Sequence, residues 1–251
     1  MKTAVLVTVR TGSMRLPGKA LIPVYRNTPL IEHIIKRAKK SKLADETILC
    51  TTTLEEDDEL CLIAERYGVL VFRGSVEDKL ERWHNAVEKY QIDYFATMDG
   101  DDPLCVPELI DTSFKQIISE NADFIESTEV ITGLFTYTIK SSALKKVCEI
   151  KDSSKTEMMW TYFKDTGLFK MQQLKDVPAK LIRDDIRLTL DYPEDLVLFK
   201  TIFRKIAGEE NIDIYQVIDL LSKNEEIREI NFHRQSDFLE NQRANTVLKL
   251  K

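Results

Sequence analysis

Short β-branched runs alternate along the chain with longer stretches whose apolar residues recur at helical spacing. Ala4–Val9 is apolar except for Thr8 and reads as a buried strand. Leu30 to Lys40 places Leu30, Ile31, Ile34, Ile35 and Ala38 on one stripe opposite a basic face, which predicts an amphipathic helix. Thr47–Thr52 predicts a second strand and Asp57–Tyr67 a helix stopped by Gly68. Val69–Phe72 predicts a third strand, followed by a helix over Val76–Tyr90 with Leu80, Trp83, Ala86 and Val87 inward. Asp93–Met98 is a fourth strand that runs directly into Asp99-Gly100-Asp101-Asp102-Pro103. Strand and helix repeated in this way imply parallel pairing through right-handed crossovers, an α/β fold. Ligands of such sheets sit beyond the carboxyl ends of the strands, so the loops after Val9, Thr52, Phe72 and Met98 are where chemistry is expected.

The second half is less regular. Helices are predicted over Pro107–Asn121, Ser141–Cys148, Lys155–Lys164, Pro193–Ala207 and Ile214–Asn224, with Pro193 suited to a first helical turn. Strands are predicted over Asp123–Ser127, Leu134–Ile139, Lys170–Leu174 and Ile186–Leu190. The tail after His233 is polar and reads as mobile. No internal repeat, low-complexity tract or linker divides residues 1–251, which read as a single domain with a less regular part at 123–185.

Composition narrows the function classes. With 251 residues, 43% hydrophobic and 31% charged, the chain can bury a sizeable core. A formal net charge of -6 argues against general binding to nucleic acid or an anionic membrane surface. No apolar run is long enough for membrane insertion, and the opening apolar run is cut short by Arg10 before any leader-type cleavage site. Cys50, Cys61, Cys105 and Cys148 are scattered without metal-ligand spacing, and reduced thiols in the cytoplasm are the expectation.

The loop Arg10-Thr11-Gly12-Ser13-Met14-Arg15-Leu16-Pro17-Gly18-Lys19 follows the first strand and combines three cations, two glycines and two hydroxyls. Such a set suits a polyphosphate: glycines let backbone N–H groups approach oxygens, and the cations offset charge. A solvated turn with incidental charges is the alternative. A P-loop is excluded, because five residues separate Gly12 from Gly18 and Ala20 stands where a magnesium-holding hydroxyl is required. No GxGxxG is present, which excludes the dinucleotide fingerprint. Asp99, Asp101 and Asp102 crowd one short turn and would repel unless a cation joins them. Hard-ion binding suits such a cluster, and an Asp-rich turn before Pro103 is the competing reading. Asp191, before Pro193, suits a helix start favoured by the dipole.

The loop from Arg10 to Lys19 resembles the N-terminal signature of the cytidylyltransferases that make CMP-activated acidic sugars, nearest to the spore-coat polysaccharide type. Further resemblance lies in Arg73-Gly74-Ser75 with Glu77, Asp78 and Arg82, in Gly100-Asp101-Asp102-Pro103-Leu104, and in Asp191-Tyr192-Pro193-Glu194-Asp195-Leu196. The resemblance implies a Rossmann-like nucleotide-diphospho-sugar transferase fold with a central mixed, mostly parallel sheet flanked by helices. It also implies transfer of CMP from CTP to a sugar or sugar-acid acceptor with release of pyrophosphate, for surface polysaccharide or glycan synthesis. Arg10, Arg15 and Lys19 would hold the β- and γ-phosphates, Thr11, Gly12, Ser13, Arg73 and Ser75 would contact the nucleotide, and Asp101 with Asp191 would hold Mg2+. Glu194 and Asp195 would serve the helix start, residues 123–185 would shape the acceptor site and a homodimer contact, and Met98-Asp99 stands where several relatives have a glutamine. A nucleotide-sugar-dependent glycosyltransferase of related fold, or a non-catalytic nucleotide-binding subunit, are the competing readings.

Overall fold

A computed structural model describes every residue except 14, 207–211, 245 and 247. In chain order its elements are β1 Thr3–Thr8, β2 Pro23–Tyr25, β3 Thr28–Pro29, α1 Leu30–Ala38, β4 Glu46–Thr52, α2 Asp58–Arg66, β5 Leu70–Gly74 and α3 Lys79–Tyr90. They continue with β6 Tyr94–Asp99, α4 Pro107–Ser119, β7 Phe124–Glu126, β8 Tyr137–Lys140, α5 Ser141–Ile150, α6 Thr161–Lys164 and β9 Met171–Gln173. The last are α7 Pro193–Lys205, α8 Ile214–Lys223, α9 Glu225–Phe232 and α10 Arg234–Ala244.

Seven strands form one sheet in the order β5-β4-β1-β6-β8-β7-β9, and β2 pairs with β3 in a separate hairpin. β1 lies between β4 and β6, parallel to both, and β5 is parallel to β4. β8 runs antiparallel to β6 and to β7, whereas β7 and β9 are parallel, so β8 is the one reversed strand of this sheet. The mixed, mostly parallel sheet is therefore as the sequence implies. Every residue of β1 is buried, which places its continuous apolar run at the centre, covered on both faces.

Alternation along the strands divides the core in two. Val5, Val7, Leu49, Ala96 and Met98 face residues of α1, α2, α4, α7 and α8. Ala4, Leu6, Ile48, Cys50 and Phe95 face α3, α5 and α6, with Trp83 and Tyr162 fully buried among them. No helix among the described residues is long and apolar enough to cross a membrane.

Three local expectations are corrected. Lys155–Lys164 is not a helix throughout: only Thr161–Lys164 is helical, because the Thr156 hydroxyl donates to Asp78 (2.8 Å) and accepts from the Leu80 N–H (3.0 Å), pinning that segment outside the helix. Ile186–Leu190 is not a strand of the sheet; it makes only an isolated bridge between Thr132 and Arg187. The tail after His233 forms α10. Of the sequence expectations, Met14 in the loop and Ala207 at a helix end lie outside the described residues.

Candidate active site

The carboxyl ends of β1, β4, β5 and β6 open on one edge of the sheet, where the loop from Arg10 to Lys19 meets the Asp99–Asp102 turn. Gly100 makes that meeting possible. A Cβ there would lie 2.4 Å from Val9 Cγ2, so only glycine lets the turn pass against the end of β1. The Gly100 N–H donates to the Thr8 carbonyl (2.8 Å), fixing the approach. On the other side the Leu190 N–H donates to the Asp101 carbonyl (2.8 Å), which brings Asp191 next to Asp101 although 90 positions separate them.

Lys19 lies between these carboxylates. Its ammonium donates to Asp101 Oδ2 (2.7 Å), to the Leu190 carbonyl (2.8 Å) and to Asp191 Oδ1 (3.1 Å). Burial alone would lower the Lys19 pKa, but Asp101 and Asp191 outweigh it and hold the ammonium firmly charged. Arg15 donates to the same Asp191 oxygen (2.6 Å) and to Asn241 on α10 (3.2 Å). Burial would raise the Asp191 carboxyl, yet Lys19, Arg15 and Arg187 together hold it below the ordinary value. The Asp101 carboxyl is raised by burial, with Lys19 opposing and the charges of Asp191 and Asp99 adding. Asp102 is pushed up further, by burial and then by the charges of Asp101 and Asp99, which favours its neutral form.

Asp99, Asp101 and Asp102 each offer an oxygen, all within 4.8 Å of one another. Hard oxygen donors and crowded like charges on this turn, with a lysine ammonium drawn to Asp101 and to the neighbouring Asp191, fit a divalent cation such as Mg2+.

The remaining residues expected at the site are placed as follows. Thr11 is buried, and its carbonyl accepts from the Ser13 and Gly18 N–H groups (2.7 and 3.2 Å), closing the loop at its neck. Ser13 Oγ accepts from the Leu16 N–H (3.4 Å), and a Cβ at Gly12 would sit 3.2 Å from Glu56. Arg10 reaches away from Lys19: it donates to the Val76 carbonyl (3.2 Å) and pairs with Glu157 (3.3 Å). Arg73 is engaged on the flank of the cleft, donating to the Thr52 carbonyl (2.9 Å), the Leu54 carbonyl (2.7 Å) and Asp58 (2.5 Å). Ser75 Oγ accepts from the Asp78 N–H (3.2 Å) at the start of α3. The structure thus gathers Arg15, Lys19, Asp101 and Asp191 into one network and leaves Arg10, Arg73 and Ser75 along its margin.

Sequence reasoning missed two supports. Asp57 was read as a helix-start residue, yet it is fully buried and accepts from the Thr11 N–H (2.8 Å) and hydroxyl (2.7 Å) and from Thr51 and Thr52 of β4. An aspartate a helical turn beyond three consecutive threonines at a strand end was the available signal. The second support is Arg187, buried between the Tyr192 and Phe238 rings, which donates to Asp191 Oδ2 (3.0 Å) and to both oxygens of Asp195. Asp195 also accepts from the N–H groups of Asp191 (2.7 Å) and Tyr192 (2.8 Å) and from Asn231 (2.7 Å), so it caps α7 and fixes the backbone of Asp191.

A parallel sheet whose strand ends carry a basic, glycine-containing loop facing clustered aspartates is the arrangement of a nucleotidyltransferase. The chain belongs to the cytidylyltransferase family, whose profile matches residues 4–244. It is 35% identical over 243 residues to an uncharacterized protein of Methanocaldococcus jannaschii, covering 96% of this chain and 99% of that one. It is 26% identical to the spore coat polysaccharide biosynthesis protein SpsF of Bacillus subtilis, over 87% of this chain and 93% of that one. Among solved structures, a cytidylyltransferase from Leptospira borgpetersenii superposes with a TM-score of 0.82 at 26% identity, over 91% of this chain and 97% of that one. A CMP:2-keto-3-deoxy-manno-octonic acid synthetase complexed with CTP superposes with a TM-score of 0.62 at 14% identity, over 82% of this chain and 99% of that one, a likeness of fold.

Proposed function

We propose that this cytidylyltransferase transfers CMP from CTP to a hydroxyl of a sugar or sugar-acid, releasing pyrophosphate, in the synthesis of a surface glycan. The observation that carries the reading is the convergence of Lys19 and Arg15 on Asp101 and Asp191 beyond the ends of β1 and β6. The relatives' names support the glycan context, SpsF among them.

In this reading Asp101 and Asp191 hold Mg2+, with Asp99 and Asp102 on the same turn. The ion, when bound, supplies positive charge at the α-phosphate. The chain's own residues do the rest. Arg15 and Lys19 hold the β- and γ-phosphates and offset the charge that builds on the leaving pyrophosphate. Thr11, Gly12 and Ser13 approach the phosphates through the backbone, and Arg10 reaches them by leaving its half-exposed partner Glu157. Arg73 and Ser75 border the base. Rate enhancement comes from positioning and charge, with no side chain required as general base. The domain comprises residues 1–251 and acts as a cytoplasmic homodimer, for which light scattering is the direct measurement.

A pyrophosphate-release assay with each of the four triphosphates, Mg2+ and a panel of eight- and nine-carbon acidic sugars tests the reading. CTP is the expected donor, and Asp101→Asn is expected to lose nearly all turnover while keeping its far-UV spectrum. Near-normal turnover by Asp101→Asn would remove that residue from the metal site.

A further inference from the structure

We propose that Lys19 is a built-in placeholder for the divalent cation: in the nucleotide-free protein it holds Asp101 and Asp191 together, and the triphosphate draws it away before those carboxylates accept the ion. The inference rests on the reading of Asp101 and Asp191 as the metal pair.

The argument is a count of donors. A lysine ammonium has three N–H groups. All three are taken, by Asp101 Oδ2 at 2.7 Å, the Leu190 carbonyl at 2.8 Å and Asp191 Oδ1 at 3.1 Å. None is left for a phosphate oxygen, so Lys19 reaches a phosphate only by giving up an acceptor it now has. The acceptors are equally committed. Asp191 Oδ1 also receives Arg15 (2.6 Å), and Asp191 Oδ2 receives Arg187 (3.0 Å) and the Thr189 hydroxyl (3.4 Å). An ion that bound Asp191 would have to displace Lys19 or Arg15, which belong to the same loop, from Oδ1. The side chain of Lys19 is only 11% exposed and that of Asp191 1%, so water cannot substitute freely for either partner.

Exchange resolves the conflict with charge balanced in both states. Without nucleotide, the Lys19 ammonium and the Arg15 guanidinium together balance the two carboxylates. With nucleotide, the triphosphate takes Lys19 and Arg15, and the exposed carboxylates take the cation that accompanies it. Lys19 is thus a positioning residue that keeps the pair converged and sets the order of binding, triphosphate before metal. Free metal alone is held out, which protects the site from filling unproductively.

Mn2+ titration without nucleotide, followed by the electron paramagnetic resonance signal of the free ion, tests this on the wild type, Lys19→Met and Lys79→Met. Lys79 is the comparison because it is a second cation of the cleft, paired with Asp99 (3.2 Å) and not with Asp101 or Asp191. Lys19→Met is expected to bind Mn2+ at least about tenfold more tightly than the wild type, and Lys79→Met to stay within about threefold of it. Equal affinity in Lys19→Met and the wild type overturns the proposal, as does an equal gain in both variants, which would reflect the general field of the cleft. Should Lys19→Met not fold by circular dichroism, binding of CTP in EDTA decides. Asp101→Asn, which removes one of the two charges that hold Lys19, is expected to bind at least about tenfold more tightly than Asp99→Asn, and equal binding overturns the proposal. Absence of Mn2+ binding by every protein even with CTP present overturns the metal reading itself.

Discussion

Replacing Asp57 separates the support of the Arg10–Lys19 loop from its chemistry. The carboxylate is fully buried and makes no ion pair among the described residues; hydrogen bonds are what hold it charged. Burial would raise its pKa, but donors from Thr52, Thr11 and Thr51 outweigh that and hold it below the ordinary value. Two of the donors are backbone N–H groups, of Thr11 at 2.8 Å on one oxygen and of Thr52 at 3.3 Å on the other. Threonine hydroxyls can turn to accept; N–H groups cannot. In Asp57→Asn the new amide must face one of them, and the longer Thr52 bond is the one to yield. The cost is one buried unsatisfied donor and the lost charge assistance, about 2 kcal/mol. Thr11 keeps its anchor, so the KM for CTP should change little, by less than about threefold. Asp57→Ala orphans both N–H groups and leaves a void, about 4–5 kcal/mol, and releases the neck of the loop. Its KM for CTP should rise about tenfold or more. Because the native pKa is depressed, the carboxylate's contribution is complete above the unfolded value of about 4 and is lost as pH falls through the native value. The difference between wild type and Asp57→Asn should therefore shrink on acidification. Urea unfolding followed by tryptophan fluorescence gives the stabilities, and pyrophosphate release gives KM. Wild-type stability and KM in Asp57→Ala would refute the reasoning.

Further outcomes follow from single contacts. Gly133→Ala should cost more than about 3 kcal/mol, because its Cβ would lie 2.1 Å from the Leu188 carbonyl at a φ of 95°; Gly68→Ala, at φ 64° with open space around it, should cost only about 1–2 kcal/mol, and urea midpoints of the two check the contrast. Arg187→Met leaves Asp191 and Asp195 buried without their shared partner and should lose about 3–5 kcal/mol together with most turnover, read by thermal unfolding and pyrophosphate release. His33 packs edge-on against Phe203 at 4.7 Å, its Nε2 finds no partner among the described residues, and burial with Lys36 and Arg37 nearby lowers its pKa from 6.5 to about 4. Its neutral form is the native one, so stability is full above about pH 6.5 and declines as pH falls toward 4, by about 2 kcal/mol after allowance for partial exposure; His33→Phe should flatten that window in a urea-midpoint series.

Much of the fold was legible because its centre obeys local rules. β1, β4 and β6 are central strands covered by helices on both faces, and α1 and α3 present single apolar stripes. The misreadings have separate physical causes. Ile186–Leu190 alternates like a strand, but Arg187 spends its donors on Asp191 and Asp195, and the segment hydrogen-bonds to the Asp101 turn in place of the sheet. The β2–β3 hairpin turns at Arg26, whose φ of 51° no residue preference announces. α10 is invisible to periodicity because it buries no residue, yet it supplies Phe238, Gln235 and Asn241 to the arginines of the site. For the site itself, the family resemblance singled out Lys19, Asp101 and Asp191, whose convergence depends on backbone bonds between segments far apart in sequence. Nothing local distinguishes Arg10 or Arg73, whose donors settle on nearby carbonyls and on Glu157 and Asp58, from the cations that reach Asp101 and Asp191.

The reversal of β8 decides which loop borders the site. Because β8 enters the sheet from the edge where its neighbour β6 ends, the connection from β7 to β8, residues 127–136, arrives at the same rim as Asp99. That connection is fastened to the rim at several points: the Thr136 hydroxyl donates to Asp102 (3.5 Å), the Val106 N–H to the Leu134 carbonyl (2.8 Å) and the Leu188 N–H to the Thr132 carbonyl (2.8 Å). A loop from the second half of the chain is thereby sewn into the edge made by the first, and a change of length within it would be felt at the Asp99–Asp102 turn.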